Sequence, residues 1–248
     1  MAAVEERSCA IAEFLISRGG NLDLQDGGGY TPLMHAVCKN RVDTVKLLLS
    51  KGANPNYCNK AQSVLDIAVK KGNRKIINLL LEHGAKINQQ DNKGGTPIYQ
   101  AIRKKQIEIV CLLLARGANP FIRTYFGGTT LMTAAFSGDR DLFDLILSQG
   151  VDPDMQNKHG WTALMFAARH GYKSIVESLL MREVKSDLKN HNGKTAAILA
   201  KEGDHEDIYK MIKRYDGNWL RKLKYMFAKP TVEEEYDFSN QAQTVEAE

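Results

Sequence analysis

One hydroxyl side chain recurs along this chain at nearly fixed spacing: Thr31, Ser63, Thr96, Thr129, Thr162 and Thr195. The steps are 32, 33, 33, 33 and 33 residues. Five residues after each stands an alanine: Ala36, Ala68, Ala101, Ala134, Ala167 and Ala200. Repetition at about 33 residues marks a linear array of small helical units. Such an array grows along one axis, each unit covering its neighbours, so 248 residues need no central core. The expected class is all-α, a solenoid of stacked helix-turn-helix units with turn or hairpin tips.

The third unit shows the parts. Asp91-Asn92-Lys93-Gly94 is turn chemistry. Thr96 is placed to cap a helix whose first residue, Pro97, has no N–H to lose. Ile98, Ala101 and Ile102 share a face at helical spacing, and the alanine suits a close helix-helix approach. A second helix carries Ile107, Val110, Cys111, Leu113 and Leu114, and Gly117 ends it. Other second helices end LLLSKGAN at 47–54, LLLEHGAK at 79–86 and LILSQGVD at 145–152. At 178–185 the ending is SLLMREVK, without the glycine.

These residues resemble the ankyrin-repeat family over roughly 10–215, six times. The family histidine is missing from its place three residues after each hydroxyl, where Met34, Asp66, Tyr99, Met132, Met165 and Ile198 stand. Proline remains only at Pro32 and Pro97 of the hydroxyl-proline pairs. The repeat domain is expected over 1–217, with a half repeat at 4–20 and repeats near 26–57, 58–90, 91–123, 124–156, 157–189 and 190–215. Whether the half repeat is a terminal cap or part of a longer array stays open. Residues 218–229 read as an amphipathic capping helix; Trp219, Leu220, Leu223, Met226 and Phe227 share its apolar face, which also suits weak membrane contact at 219–227. The composition of 230–248 reads as an acidic disordered tail.

Charge is uneven. Residues 229–248 hold one lysine and six carboxylates, net −5, against +10 for the rest. That asymmetry bears on partners rather than fold. The four cysteines form no C-x-x-C pair and no zinc spacing, so free thiols and no metal are expected. Neither a phosphate-binding glycine motif nor a nucleophile context is present, which argues against an enzyme and against a cofactor.

The resemblance implies that ligands meet the concave face of tips and first helices. Counting from each threonine places two groups there. Lys70, Lys71, Arg103 and Lys104 are basic, in repeats 2 and 3; Tyr125, Phe126, Phe136 and Trp161 are aromatic, in repeats 4 and 5, flanked by Arg169 and His170. Aromatics with arginine commonly anchor interfaces. The alternatives are aromatics tucked against neighbouring units and a merely solvated basic face.

The expected function is a non-enzymatic interaction module or adaptor, a cytoplasmic monomer that binds a partner segment acidic at one end and apolar at the other. Nucleic acid or anionic membrane on the basic surface is the charge-based rival. The block Glu233-Glu234-Glu235-Tyr236-Asp237 also looks like the glutamate-rich C-terminus of type IV secreted bacterial effectors, which would place the protein in a host cytosol. A further expectation is that the acidic tail lies in the basic groove.

Overall fold

The structure, a computed structural model, describes residues 19–216. The half repeat expected at 4–20 lies outside this range except for its last two residues. The segments expected at 218–229 and 230–248 lie wholly outside it. The described residues form twelve α-helices in six pairs. These are α1 (Pro32–Cys38) with α2 (Val42–Ser50), α3 (Val64–Lys71) with α4 (Arg74–Glu82), and α5 (Pro97–Arg103) with α6 (Ile107–Ala115). They continue with α7 (Thr130–Ser137) and α8 (Arg140–Ser148), α9 (Ala163–Arg169) and α10 (Lys173–Met181), and α11 (Ala196–Glu202) and α12 (Glu206–Asp216).

First helices pack in sequence, α1 on α3, then α5, α7, α9 and α11. All six alanines of the repeat are buried, as a close approach of these helices requires. Leu33, Leu65, Ile98, Leu131, Leu164 and Ala197, two residues past each hydroxyl, fill the same layer. Leu48, Leu80, Leu113, Ile146, Leu179 and Ile212 do so from the second helices. The core is thus a continuous strip that no single pair could bury alone.

The hydroxyls cap as expected at five positions. Thr31, Ser63, Thr129, Thr162 and Thr195 accept a hydrogen bond from the N–H three residues on. Thr96 departs from the expectation. The Tyr99 N–H donates instead to the Thr96 carbonyl at 2.9 Å, and the Thr96 hydroxyl is buried with no hydrogen-bond partner. The tighter first turn takes the donor that the hydroxyl would have capped.

The tips form a second ladder. Asn92 N–H donates to the Ala61 carbonyl, Tyr125 to Lys93, Lys158 to Phe126 and His191 to His159, at 2.9 to 3.4 Å. Side chains just before the tips clamp consecutive units. Gln90 Nε2 donates to the carbonyls of Gly94 and Arg123, Arg123 to those of Gly127 and Gln156, and Gln156 to those of Gly160 and Lys189. The short 32-residue step has its cause here. The other tips turn through a left-handed glycine, as at Gly94 with φ 78°, whereas the tip at Asn59–Ser63 is one residue shorter and lacks it. The missing glycine of the fifth second-helix ending leaves the turn unchanged: Glu183 itself adopts φ 57°.

Candidate functional site

The site is built on three successive units. A concavity of about 300 Å³ lies between the tips and first helices of repeats 3 to 5. Arg103 at the end of α5, Phe126 on the fourth tip, Phe136 near the end of α7 and Phe166 on α9 all line it. Buried Tyr99 and Met132 lie among them. Phe126 is 61% and Phe136 55% exposed, and the two share this one concavity. Arg103 is exposed and forms no ion pair among the described residues.

Local geometry fixes these side chains. On the third tip, Asp91 Oδ1 accepts from the N–H groups of Lys93 and Gly95 at 2.9 and 2.8 Å, and Gln100 Nε2 donates to its other oxygen at 2.9 Å. Tyr99, standing at the family histidine position, donates its hydroxyl to the Gly128 carbonyl of the next tip. Burial raises the Tyr99 phenol far above its ordinary pKa, so it remains a donor. A side chain at the family histidine position thus ties the third unit to the fourth tip.

Phe136 meets Phe166 edge to face, with centroids 6.1 Å apart, and His170 likewise at 5.0 Å. Burial, with Arg169 and His205 nearby, holds the His170 pKa below its ordinary value.

The structure separates the remaining sequence candidates. Trp161 is half-buried, packed on Phe166 with centroids 4.9 Å apart, so it supports the wall from behind. Tyr125 turns away from its neighbour Phe126 and lines a different recess with Lys86 to Gln90. Arg169 lies 3.9 Å from Glu202, which Lys194 also holds at 2.7 Å. Lys70 donates to Gln62 on its own tip. Lys71 and Lys104 are exposed and do not line the concavity.

Phe166 escaped the sequence reading. It lies four residues after its threonine, where His35 and Gln100 hold tip carboxylates of their own units at 2.8 and 2.9 Å. In the fifth unit the tip residue is Asn157, whose Oδ1 accepts from the N–H groups of His159 and Trp161 as Asp91 Oδ1 does on its tip, but which has no second carboxylate oxygen to be held, and the position carries a ring. The position is polar in units 1, 3 and 4 (His35, Gln100, Thr133) and aliphatic in units 2 and 6 (Ile67, Leu199), so an aromatic ring there is the one departure in type.

Cys38, Cys58 and Cys111 are unpaired and half-buried. Among the described residues, no group of His, Cys, Asp and Glu gathers around a possible metal position, and no helix is long and apolar enough to cross a membrane.

Family models described as ankyrin repeats match residues 1–91 and 131–219, and a related one matches 80–135. Among curated proteins, the human transient receptor potential cation channel subfamily A member 1 is 40% identical over 88 residues, 34% of this chain and 8% of that protein. Inversin of Gallus gallus is 32% identical over 99 residues, 40% of this chain and 9% of inversin. The ankyrin repeat and KH domain-containing protein mask of Drosophila melanogaster is 34% identical over 92 residues, 36% of this chain and 2% of mask. The matched segments span less than a tenth of each of these relatives. Repeats of this kind generally serve as protein-protein interaction modules, with the extended concave surface as the usual meeting place. On the family-model matches and the repeated architecture together, the chain belongs to the ankyrin-repeat family.

Proposed function

We propose that this chain is a non-enzymatic binding module that holds an extended partner segment across repeats 3 to 5. An apolar or aromatic side chain of the partner rests on Phe126, Phe136 and Phe166, and a carboxylate pairs with Arg103. The observation that carries this reading is the shared concavity: two exposed phenylalanines and an exposed arginine line one surface. Aromatic anchors supply the apolar area, and a charge beside them selects the register and the sign of the partner.

Selection of a random twelve-residue displayed peptide library on the full chain tests this. The expected consensus joins acidic residues to an aromatic one. The Phe126→Ala/Phe136→Ala chain should enrich nothing related. A basic consensus, or the same consensus from both chains, would overturn the proposal.

A further inference from the structure

The binding face and the sequence beyond Asp216 are chemically complementary. The concavity offers Arg103 and Lys93, both exposed and without an ion-pair partner among the described residues, beside exposed Phe126 and Phe136. The segment Glu233-Glu234-Glu235-Tyr236-Asp237-Phe238 packs four carboxylates and two aromatic rings into six residues. We infer that this segment is the groove's own ligand, occupying repeats 3 to 5 in cis until a partner displaces it. The inference rests on reading the concave face as a binding face.

Reach permits it. Glu233 stands seventeen residues past Asp216, the last residue of α12. An extended chain of that length spans up to about 56 Å, and with 218–229 helical, as its sequence reads, still about 35 Å. The far end of the groove, at Arg103, lies three repeats back. Packed helices lie roughly 8 to 10 Å apart, so the journey is about 30 Å along the array.

Net charge alone would not hold the segment. Exposed charges more than about 8 Å apart are screened at physiological salt, so binding needs contact. The two rings supply a contact that a plain acidic tail lacks. Tethering supplies the rest. A segment tethered at this distance in sequence meets the groove at an effective concentration on the order of 1 mM. A segment with an intrinsic Kd of only about 0.1 mM would then fill the groove roughly ten times in eleven, weakening any competing ligand about tenfold.

The test uses a fluorescein-labelled synthetic peptide spanning residues 229–241 and two full-length chains. One is the wild type. The other carries Glu233→Gln, Glu234→Gln, Glu235→Gln, Tyr236→Ala and Phe238→Ala, with an unchanged far-ultraviolet circular dichroism spectrum confirming an intact array. Fluorescence polarisation should show about tenfold tighter peptide binding to the substituted chain. Adding Arg103→Glu to that chain should weaken binding at least tenfold. Equal affinity for the two chains would overturn occupancy in cis, and no binding to either would overturn the segment as a ligand. Library-selected acidic-aromatic peptides separate this failure from that of the groove. If they bind both chains equally and depend on Phe126 and Phe136, the groove stands and the tail inference falls. If neither they nor the tail peptide depend on those residues, both fall.

Discussion

Phe136 and Phe166 stand on consecutive first helices, edge to face, with centroids 6.1 Å apart and ring planes at 89°. The exposed ring of Phe136 thus has its orientation set by the half-buried ring of Phe166. The two should separate binding from stability. Phe136→Ala is expected to lower ligand affinity at least tenfold while costing less than about 1 kcal/mol of stability, because the ring is already largely in water. Phe166→Ala should lower affinity too, and destabilise by about 2 kcal/mol. Urea melts beside a titration with a selected peptide check this; equal stability losses would contradict the assignment.

The Tyr99 hydroxyl joins the third unit to the fourth tip through the Gly128 carbonyl. Tyr99→Phe keeps the ring and leaves that carbonyl without its donor. A loss of about 1 to 2 kcal/mol is expected in chemical denaturation. A change within error would show that the bond is not made in solution.

Asp66 fills the family histidine position of the second unit and is fully buried. Its Oδ2 accepts from the Ser63 N–H and hydroxyl at 2.9 and 2.8 Å, and Oδ1 has no partner. Burial pushes its carboxyl from 3.8 to about 6, against the lowering effect of the Ser63 hydrogen bonds. The folded state therefore holds the proton more tightly than the unfolded state. That contribution is fully present below about pH 4 and is lost as pH rises through about 6. Two units correspond to about 3 kcal/mol. Asp66→Asn should remove this component and leave the chain more stable than wild type at pH 7.5. Urea midpoints at pH 5 and 7.5 for both chains provide the check; a parallel pH dependence would refute it.

Glu183 holds φ 57° where the four preceding second helices end in left-handed glycine. A side-chain-bearing residue is strained in that region by about 1 kcal/mol. Glu183→Gly is expected to raise stability by somewhat less, since glycine adds freedom to the unfolded chain. A lower denaturation midpoint would contradict this.

The frame of this protein is written in its sequence because each unit repeats the same local solution. Thr162 caps, Ala167 packs and Leu164 fills, one unit after another, and only neighbours matter. Even the 32-residue step was visible before its cause, the shortened tip at Asn59–Ser63, could be seen. The site was legible in part. Counting from the threonines places Arg103, Phe126 and Phe136 on one face, and the structure brings those three together. Side-chain direction was not legible. Tyr125 and Phe126 are adjacent on a tight turn, and one residue of rotation sends them to opposite recesses. Trp161 packs inward because the next first helix offers Phe166, and Arg169 leans to Glu202 of the following unit. These pairings join different units or different elements of one unit, so single positions do not show them.

Isothermal titration of a library-selected acidic-aromatic peptide onto the full wild-type chain and onto Phe126→Ala/Phe136→Ala tests the central claim most directly. Both residues are exposed, so the double variant should melt close to the wild type. The account predicts at least a tenfold weaker Kd, with the peptide's acidic residues contributing less once Arg103 is also changed to alanine. An unchanged Kd in a folded double variant would place binding elsewhere on the array and contradict the account.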